Sequence, residues 1–165
     1  MEEIRILEMT EAHIPQVAAI EAEVFTCPWS QKGFSDTLYQ DNVKFYVAMK
    51  DSSQGTAVAG YCGIYMAADE GEITNVAVKP EFRREHIGDA LLEVMISVSE
   101  ETGISRIYLE VRVSNEAAIR LYEKHGFARV GIRKNFYEKP REDAYVMCRE
   151  SKPSRETETG ENIKS

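Results

Sequence analysis

The stretch Asn75–Leu92, NVAVKPEFRREHIGDALL, restricts what this chain can fold into more than any other. Asn75–Val78 is a short β-branched run, and Pro80 ends it because proline cannot donate to a sheet ladder. From Ile87 the apolar residues recur at Ile87, Leu91, Met95 and Val98, a helical period. Arg83, Arg84 and Gly88 fall where a new helix leaves its first N–H groups unpaired. Backbone donors, the positive end of a helix dipole and two guanidinium groups suit an anion. A strand, such a turn and a helix in succession imply a nucleotide-like ligand and a crossover between parallel strands.

The flanking segments extend this unit into a sheet. Ile4–Met9 reads as a first strand. Thr10, with His13 as half of a capping box, opens a helix reaching Phe25. Its apolar positions are Ile14, Val17, Ala18 and Val24, with Glu21 and Glu23 between them, and Pro15 sits in the tolerant first turn. Ser30 is the expected N-cap of a second helix ending about Tyr39. Lys44–Met49, Ala57–Met66 and Glu72–Val78 predict an antiparallel meander with turns at Asp51–Gly55 and Glu70-Gly71. After the long helix, Thr102-Gly103 is a stop signal and Arg106–Val113 a further strand.

Ser114 or Asn115 caps a short helix bearing Ala118, Leu121, Tyr122 and His125 on one face, and Gly126 fits the left-handed residue beyond it. Phe127–Ile132 and Ala144–Cys148 close the pattern around a polar loop, Arg133–Asp143. The order predicts an α/β (α+β) fold, a mixed sheet with helices on its faces. Residues 1–150 are expected to form one domain, and the Ser-, Thr- and Glu-rich segment 151–165 a disordered tail.

Net charge is −8, and the tail's three basic and three acidic residues cancel, so the excess lies on the folded part. That balance argues against a nucleic-acid partner. It permits a basic protein partner, or serves solubility alone. No apolar run approaches the roughly 18 residues that span a bilayer, and MEEIRILEM lacks the features of a signal peptide. Three scattered cysteines without a CxxC pair fit a reducing cytoplasm and argue against a metal site.

Glu110 interrupts a strand with the near-continuous apolar character of a buried one. Ile107, Leu109 and Val111 share one face, and Tyr108, Glu110 and Arg112 the other. A desolvated carboxyl there has a raised pKa and is a candidate general base; an ion pair with Arg112 or a solvent-facing position is the bland alternative. Tyr122, on an apolar helical face, reads as core with a hydroxyl able to point back towards the C-terminal ends of the strands, and Asn115 reads as a helix cap. Trp29, the only tryptophan, is a staple on the core or the wall of a pocket.

Taken together, these blocks resemble a known family. Arg83-Arg84-Glu85-His86-Ile87-Gly88 is similar to the Q/R-x-x-G-x-G/A turn of the GNAT N-acetyltransferases. Leu109–Phe127, LEVRVSNEAAIRLYEKHGF, resembles their second hallmark block. CPWS (Cys27–Ser30), NVAV (Asn75–Val78) and Arg133–Ala144 resemble the branch that acetylates the N-terminal alanine of a ribosomal protein. The resemblance runs from Ile4 to Cys148 and implies a mostly antiparallel sheet of about seven strands with about four helices.

It further implies acetyl-CoA as co-substrate, without a metal. Val76, Ala77 and Val78 would pair their backbone with the pantetheine arm. Arg84, Glu85, His86, Ile87, Gly88 and Asp89 would form the pyrophosphate turn, and Asn115 would bond the cofactor arm. Glu110 would be the general base and Tyr122 the general acid, with a backbone N–H near Val76 stabilising the oxyanion. Trp29 and Tyr137, placed by loop position and chemistry, are candidates for the acceptor pocket. The implied partner is the N-terminal segment of a basic ribosomal protein, small-subunit protein eighteen. A broader amine acetyltransferase and a non-catalytic acyl-CoA-binding module are the alternatives. His86 departs from the motif by replacing its first glycine; a backbone with positive φ there would tolerate histidine better than a β-branched residue but worse than glycine, and the expected consequence is a side chain that crowds the pyrophosphate or an imidazole that contacts it.

Overall fold

The crossover expected at Asn75–Leu92 is present. In the computed structural model, which describes residues 3–151, strand β4 (Glu70–Val78) passes through a short 3-10 turn (Pro80–Phe82) into helix α3 (Ile87–Glu101). The chain returns as β5 (Arg106–Arg112), parallel to β4. Before this unit lie β1 (Glu3–Glu8), α1 (Ile14–Val24), α2 (Gln31–Leu38), β2 (Val43–Ser52) and β3 (Gly55–Ala67). After it come α4 (Glu116–Lys124), β6 (Ala128–Glu138) and β7 (Arg141–Glu150). The seven strands form one sheet in the order β1-β2-β3-β4-β5-β7-β6, antiparallel except at β4/β5. This is the expected mixed sheet. Of the expected tail only Ser151 lies within the described residues.

Local signals account for most boundaries. Ser30 Oγ accepts from the Gly33 N–H at 3.1 Å, and Asn115 Oδ1 from the Ala118 N–H at 3.2 Å, so both act as N-caps. His13 Nδ1 accepts from the Thr10 N–H at 3.0 Å, making the cap more complete than half a box. Gly103 and Gly126 take φ of 86° and 91° just beyond their helices.

Two expectations are corrected. The second turn of the meander is not Glu70-Gly71; Ala68, at φ 54°, and Asp69 make it, and β4 already begins at Glu70. Gly71 serves close approach instead, since a Cβ there would meet Ile64 Cδ1 at 2.8 Å. The segment Arg133–Asp143 is not a loop but the paired ends of β6 and β7, with Lys134–Phe136 bulging out between the Arg133/Ala144 and Tyr137/Glu142 pairs. β6 is an almost wholly exposed edge strand, so no buried face imposed a hydrophobic period on it.

The sheet separates two apolar layers. Leu91, Leu92 and Met95 of α3, with Ile119 and Tyr122 of α4, pack on Cys62, Ile64, Leu109 and Met147. Val17 and Ile20 of α1 and Phe34 of α2 pack on Val47, Val58 and Tyr61 opposite. Truncating one such fully buried leucine costs about 2–5 kcal/mol, a large share of the stability of a domain this size.

Candidate active site

β4 and β5 pair only at their starts, Glu70–Glu72 against Arg106–Tyr108. Beyond that, Ile73–Val78 have no partner on the β5 side, and the two parallel strands part towards their C-terminal ends. Such a parting at the carboxyl ends of parallel strands is where α/β sheets bind ligands. A free sheet edge also offers backbone groups to an extended arm, as in strand addition. Val76, Ala77 and Val78 lie on this edge. The first turn of α3 and the N-cap of α4 follow at the same end.

The turn before α3 carries two non-glycine residues in the left-handed region, Arg84 at φ 70° and His86 at φ 61°. His86 is the N-cap of α3, so the position of the missing glycine does demand positive φ. Its imidazole is 80% exposed and turned to Asp89, with Nδ1 3.2 Å from Oδ2. Three side chains of the turn are engaged elsewhere: Glu85 with Lys50, Ile87 in the core and Asp89 with α4. Any hold these three have on an anion comes from their backbone. Arg83 and Arg84 are exposed. Gly88 allows α3 to approach α4, since a Cβ there would lie 3.0 Å from Leu121 Cδ2.

Asp89 joins the two helices. It faces Lys124 Nζ at 3.0 Å and His125 Nε2 at 2.8 Å. Burial alone would raise its carboxyl, but hydrogen bonds from His125, Lys124 and His86, with the Lys124 charge, hold it at about 2. The pairing also suits both helix dipoles, an anion at the start of α3 and the Lys124 cation at the end of α4.

Glu110 projects from the face of β5 opposite α3 and α4, with a side chain only 15% exposed. Burial pushes its carboxyl above the ordinary range, the Glu72 carboxylate adds to this, and Arg133, whose Nε is 3.7 Å away, opposes it. Arg112 is not its partner. That guanidinium bonds Glu142 Oε1 at 3.1 Å and the Pro140 and Lys139 carbonyls, and it covers the Tyr137 ring at 4.2 Å. Burial raises the Tyr137 phenol, and the charges of Arg112 and Glu110 also act on it. Tyr122 is 8% exposed and edge-on to Phe127; burial, then Tyr137, raises its phenol. Its proton is therefore retained at neutral pH.

Glu110 thus lies just past the last β4/β5 pair, with Tyr137 near enough to feel its charge and Tyr122 near enough to feel Tyr137. Trp29 does not join them directly. It sits half-buried in the turn between α1 and α2, with ring centroids 5.3 Å from Phe34 and 6.1 Å from Phe45. Asn115 is occupied through Oδ1 by its capping bond.

Two residues escaped the sequence reading. Glu21 is not a spacer between apolar positions but is 2% exposed in the core. It lies four residues after Val17 and three before Val24, on the buried stripe itself, and that spacing is the signal. Lys50, 5% exposed at the end of β2, holds Glu85 and sits 4.4 Å from the Phe82 ring centroid. No local pattern marks it, because its partners are some thirty residues away.

Known proteins share this arrangement. The acetyltransferase (GNAT) family profile matches residues 14–127. A putative ribosomal protein bS18-alanine N-acetyltransferase of Bacillus subtilis is 40% identical over 134 residues, 81% of this chain and 87% of its own. The ribosomal protein bS18-alanine N-acetyltransferase of Escherichia coli K12 is 36% identical over 150 residues, 90% and 97% respectively. The crystal structure of the ribosomal-protein-S18-alanine N-acetyltransferase from Escherichia coli superposes with a TM-score of 0.81 at 32% identity, covering 92% of this chain and 96% of that one. With the sheet, the left-handed turn before α3 and the parted strands all in place, the chain belongs to the GNAT family of acetyltransferases.

Proposed function

We propose that this protein transfers the acetyl group of acetyl-CoA to the N-terminal α-amine of a protein, the alanine that begins ribosomal protein bS18. The observation that carries the chemistry is Glu110, a shielded carboxylate with a raised pKa at the opening between β4 and β5. The choice of acceptor is supported by relatives at 36–40% identity that bear this activity in their names.

The residues divide the work. The free edge at Val76–Val78 receives the pantetheine arm, and the backbone of residues 84–89 with the exposed Arg84 receives the pyrophosphate. Asn115 keeps its amide nitrogen for the arm while Oδ1 caps α4. When bound, acetyl-CoA supplies the thioester carbonyl. A peptide α-amine has a pKa of about 7.7–8.0, so at neutral pH it arrives mostly as an unreactive ammonium. Glu110 removes that proton, directly or through water, and an N–H near Val76 donates to the carbonyl oxygen as charge develops. Tyr122 gives its phenolic proton to the departing thiolate. Trp29 and Tyr137 line the acceptor side, where Glu72 and Glu110 favour a cationic N-terminus. Direct attack within one site gains most from positioning the two substrates together. The work belongs in the cytoplasm, where ribosomal proteins are made.

Mass spectrometry of a panel of N-terminal peptides incubated with enzyme and acetyl-CoA tests the reading. A single acetylated product on the alanine-initiated bS18 peptide is expected. Products across many N-termini would replace it with a broad amine acetyltransferase. No product, with acetyl-CoA still bound, would leave an acyl-CoA-binding module.

A further inference from the structure

A charged side chain on the buried stripe of α1 calls for a reason. Glu21 accepts hydrogen bonds from three separate elements: the Tyr61 hydroxyl of β3, Asn75 Nδ2 of β4 at 3.2 Å, and the Trp29 backbone N–H at 3.0 Å. A carboxylate is costly to bury, and these three donors offset much of that cost. An apolar residue of similar volume would serve stability as well or better. What it would not do is tie the α1–α2 turn to β4.

The tie falls at a sensitive place. The β3/β4 register slips between Gly63 and Ile64, so Thr74 is an extra residue opposite them. Asn75 follows it, immediately before Val76, the start of the proposed cofactor edge. Asn75 is 5% exposed, and its Oδ1, like Thr74 Oγ1, is buried without a hydrogen-bond partner among the described residues. Its amide nitrogen donates to Glu21 and also meets the Tyr61 hydroxyl that Glu21 holds. On the other side, Glu21 holds the Trp29 main chain, whose ring rests on Phe34 and Phe45.

We propose that Glu21 is a positioning residue for the acceptor: it sets the spacing between the Trp29 wall and the Asn75–Val76 end of the cofactor strand. This rests on the acceptor side assigned above. Glu21→Gln keeps an oxygen for Tyr61 and Asn75 but turns an NH2 towards the Trp29 N–H, so the bond to the turn is lost.

Trp29 is the only tryptophan, so its emission reports the turn without any substrate. Glu21→Gln is expected to shift that emission to the red and to raise acrylamide quenching about twofold. Acetyl-CoA affinity should stay within about twofold, while KM for the alanine-initiated peptide rises about tenfold and kcat changes less than threefold, the scale of one lost charge-assisted hydrogen bond. Glu21→Asp, which keeps the charge but withdraws it from Trp29, should move both readouts in the same direction if the glutamine variant does not fold. Tyr61→Phe removes a donor to Glu21 but leaves the Trp29 bond, and should leave emission and KM as in the wild type.

Wild-type emission and quenching in Glu21→Gln or Glu21→Asp would overturn the proposal. So would an equal rise of peptide KM in Tyr61→Phe, because general loosening would then explain it. A wild-type enzyme that acetylates no peptide would instead overturn the functional reading, and the fluorescence would still decide whether Glu21 holds the turn.

Discussion

His125 Nε2 lies 2.8 Å from Asp89 Oδ1, so the end of α4 is pinned to the first turn of α3 at the proposed pyrophosphate site. Lys124 reaches the same carboxylate oxygen at 3.0 Å. Asp89 therefore neutralises Lys124 of α4 and aligns the helix start whose backbone is offered to the cofactor.

Asp89→Asn should raise KM for acetyl-CoA about tenfold, with kcat nearly kept, and should lower stability at pH 7 by roughly 1–2 kcal/mol. The sign of the pH dependence follows from the depressed carboxyl at about 2. Its stabilisation is fully present above the ordinary carboxyl range and is lost as pH falls towards 2. Thermal unfolding from pH 6 down to pH 2 should show the variant's deficit shrinking below about pH 4. A deficit independent of pH would mean that packing, not charge, holds the helices.

Glu110→Gln should lower kcat by about 10²–10⁴-fold while acetyl-CoA affinity, measured by calorimetry, stays the same. The raised carboxyl predicts opposite effects on activity and stability. Activity needs the carboxylate, so it falls as pH drops through the raised value. Stability behaves in reverse, because a group with a raised folded pKa loses its contribution as pH rises through that value. The glutamine variant should accordingly melt no lower than wild type at pH 7. Full activity in this variant would remove Glu110 from the mechanism.

The neighbours of Glu110 give a paired test. Glu72 pushes its carboxyl up and Arg133 pulls it down. Glu72→Gln should therefore move the acidic limb of kcat/KM to lower pH, and Arg133→Ala should move it to higher pH. Arg133 is largely exposed, at 59%, so its effect should fade with added salt. Shifts in the same direction for both variants would show that the limb belongs to another group.

Which parts were legible follows from where their causes lie. Ser30, Asn115 and Gly126 act within their own helix ends, and each could be read from a few neighbouring residues. The Asn75–Leu92 unit was legible because its strand, turn and helix are consecutive. Glu110 was legible as an anomaly, a charge in an apolar strand, but its actual partners were not. Glu72 and Arg133 reach it across strand pairings with large sequence separation, and Arg112, the near neighbour, turned to Glu142 instead. The β6–β7 pair was legible, but its continuation through Arg133–Asp143 was hidden because Phe136 and Tyr137 pack on arginines, Arg133 at 5.7 Å and Arg112 at 4.2 Å, rather than on a core that would have produced alternation.

His86 supplies the last test. Its φ of 61° costs a residue with a Cβ more than it costs glycine, and its imidazole, 80% exposed, turns to Asp89 rather than inward. The crowding expected of a side chain at the missing glycine is therefore small. His86→Gly should leave acetyl-CoA affinity within about twofold. The relieved backbone should outweigh both the lost contact with Asp89 and the greater freedom of glycine in the unfolded chain, stabilising the protein by roughly 0.5–1 kcal/mol. Thermal melts and acetyl-CoA titrations of the two proteins check this together. A gain in affinity of tenfold or more would show that the imidazole does obstruct the pyrophosphate turn, and a fall in melting temperature would show that the Asp89 contact and the freedom of glycine in the unfolded chain together outweigh the strain.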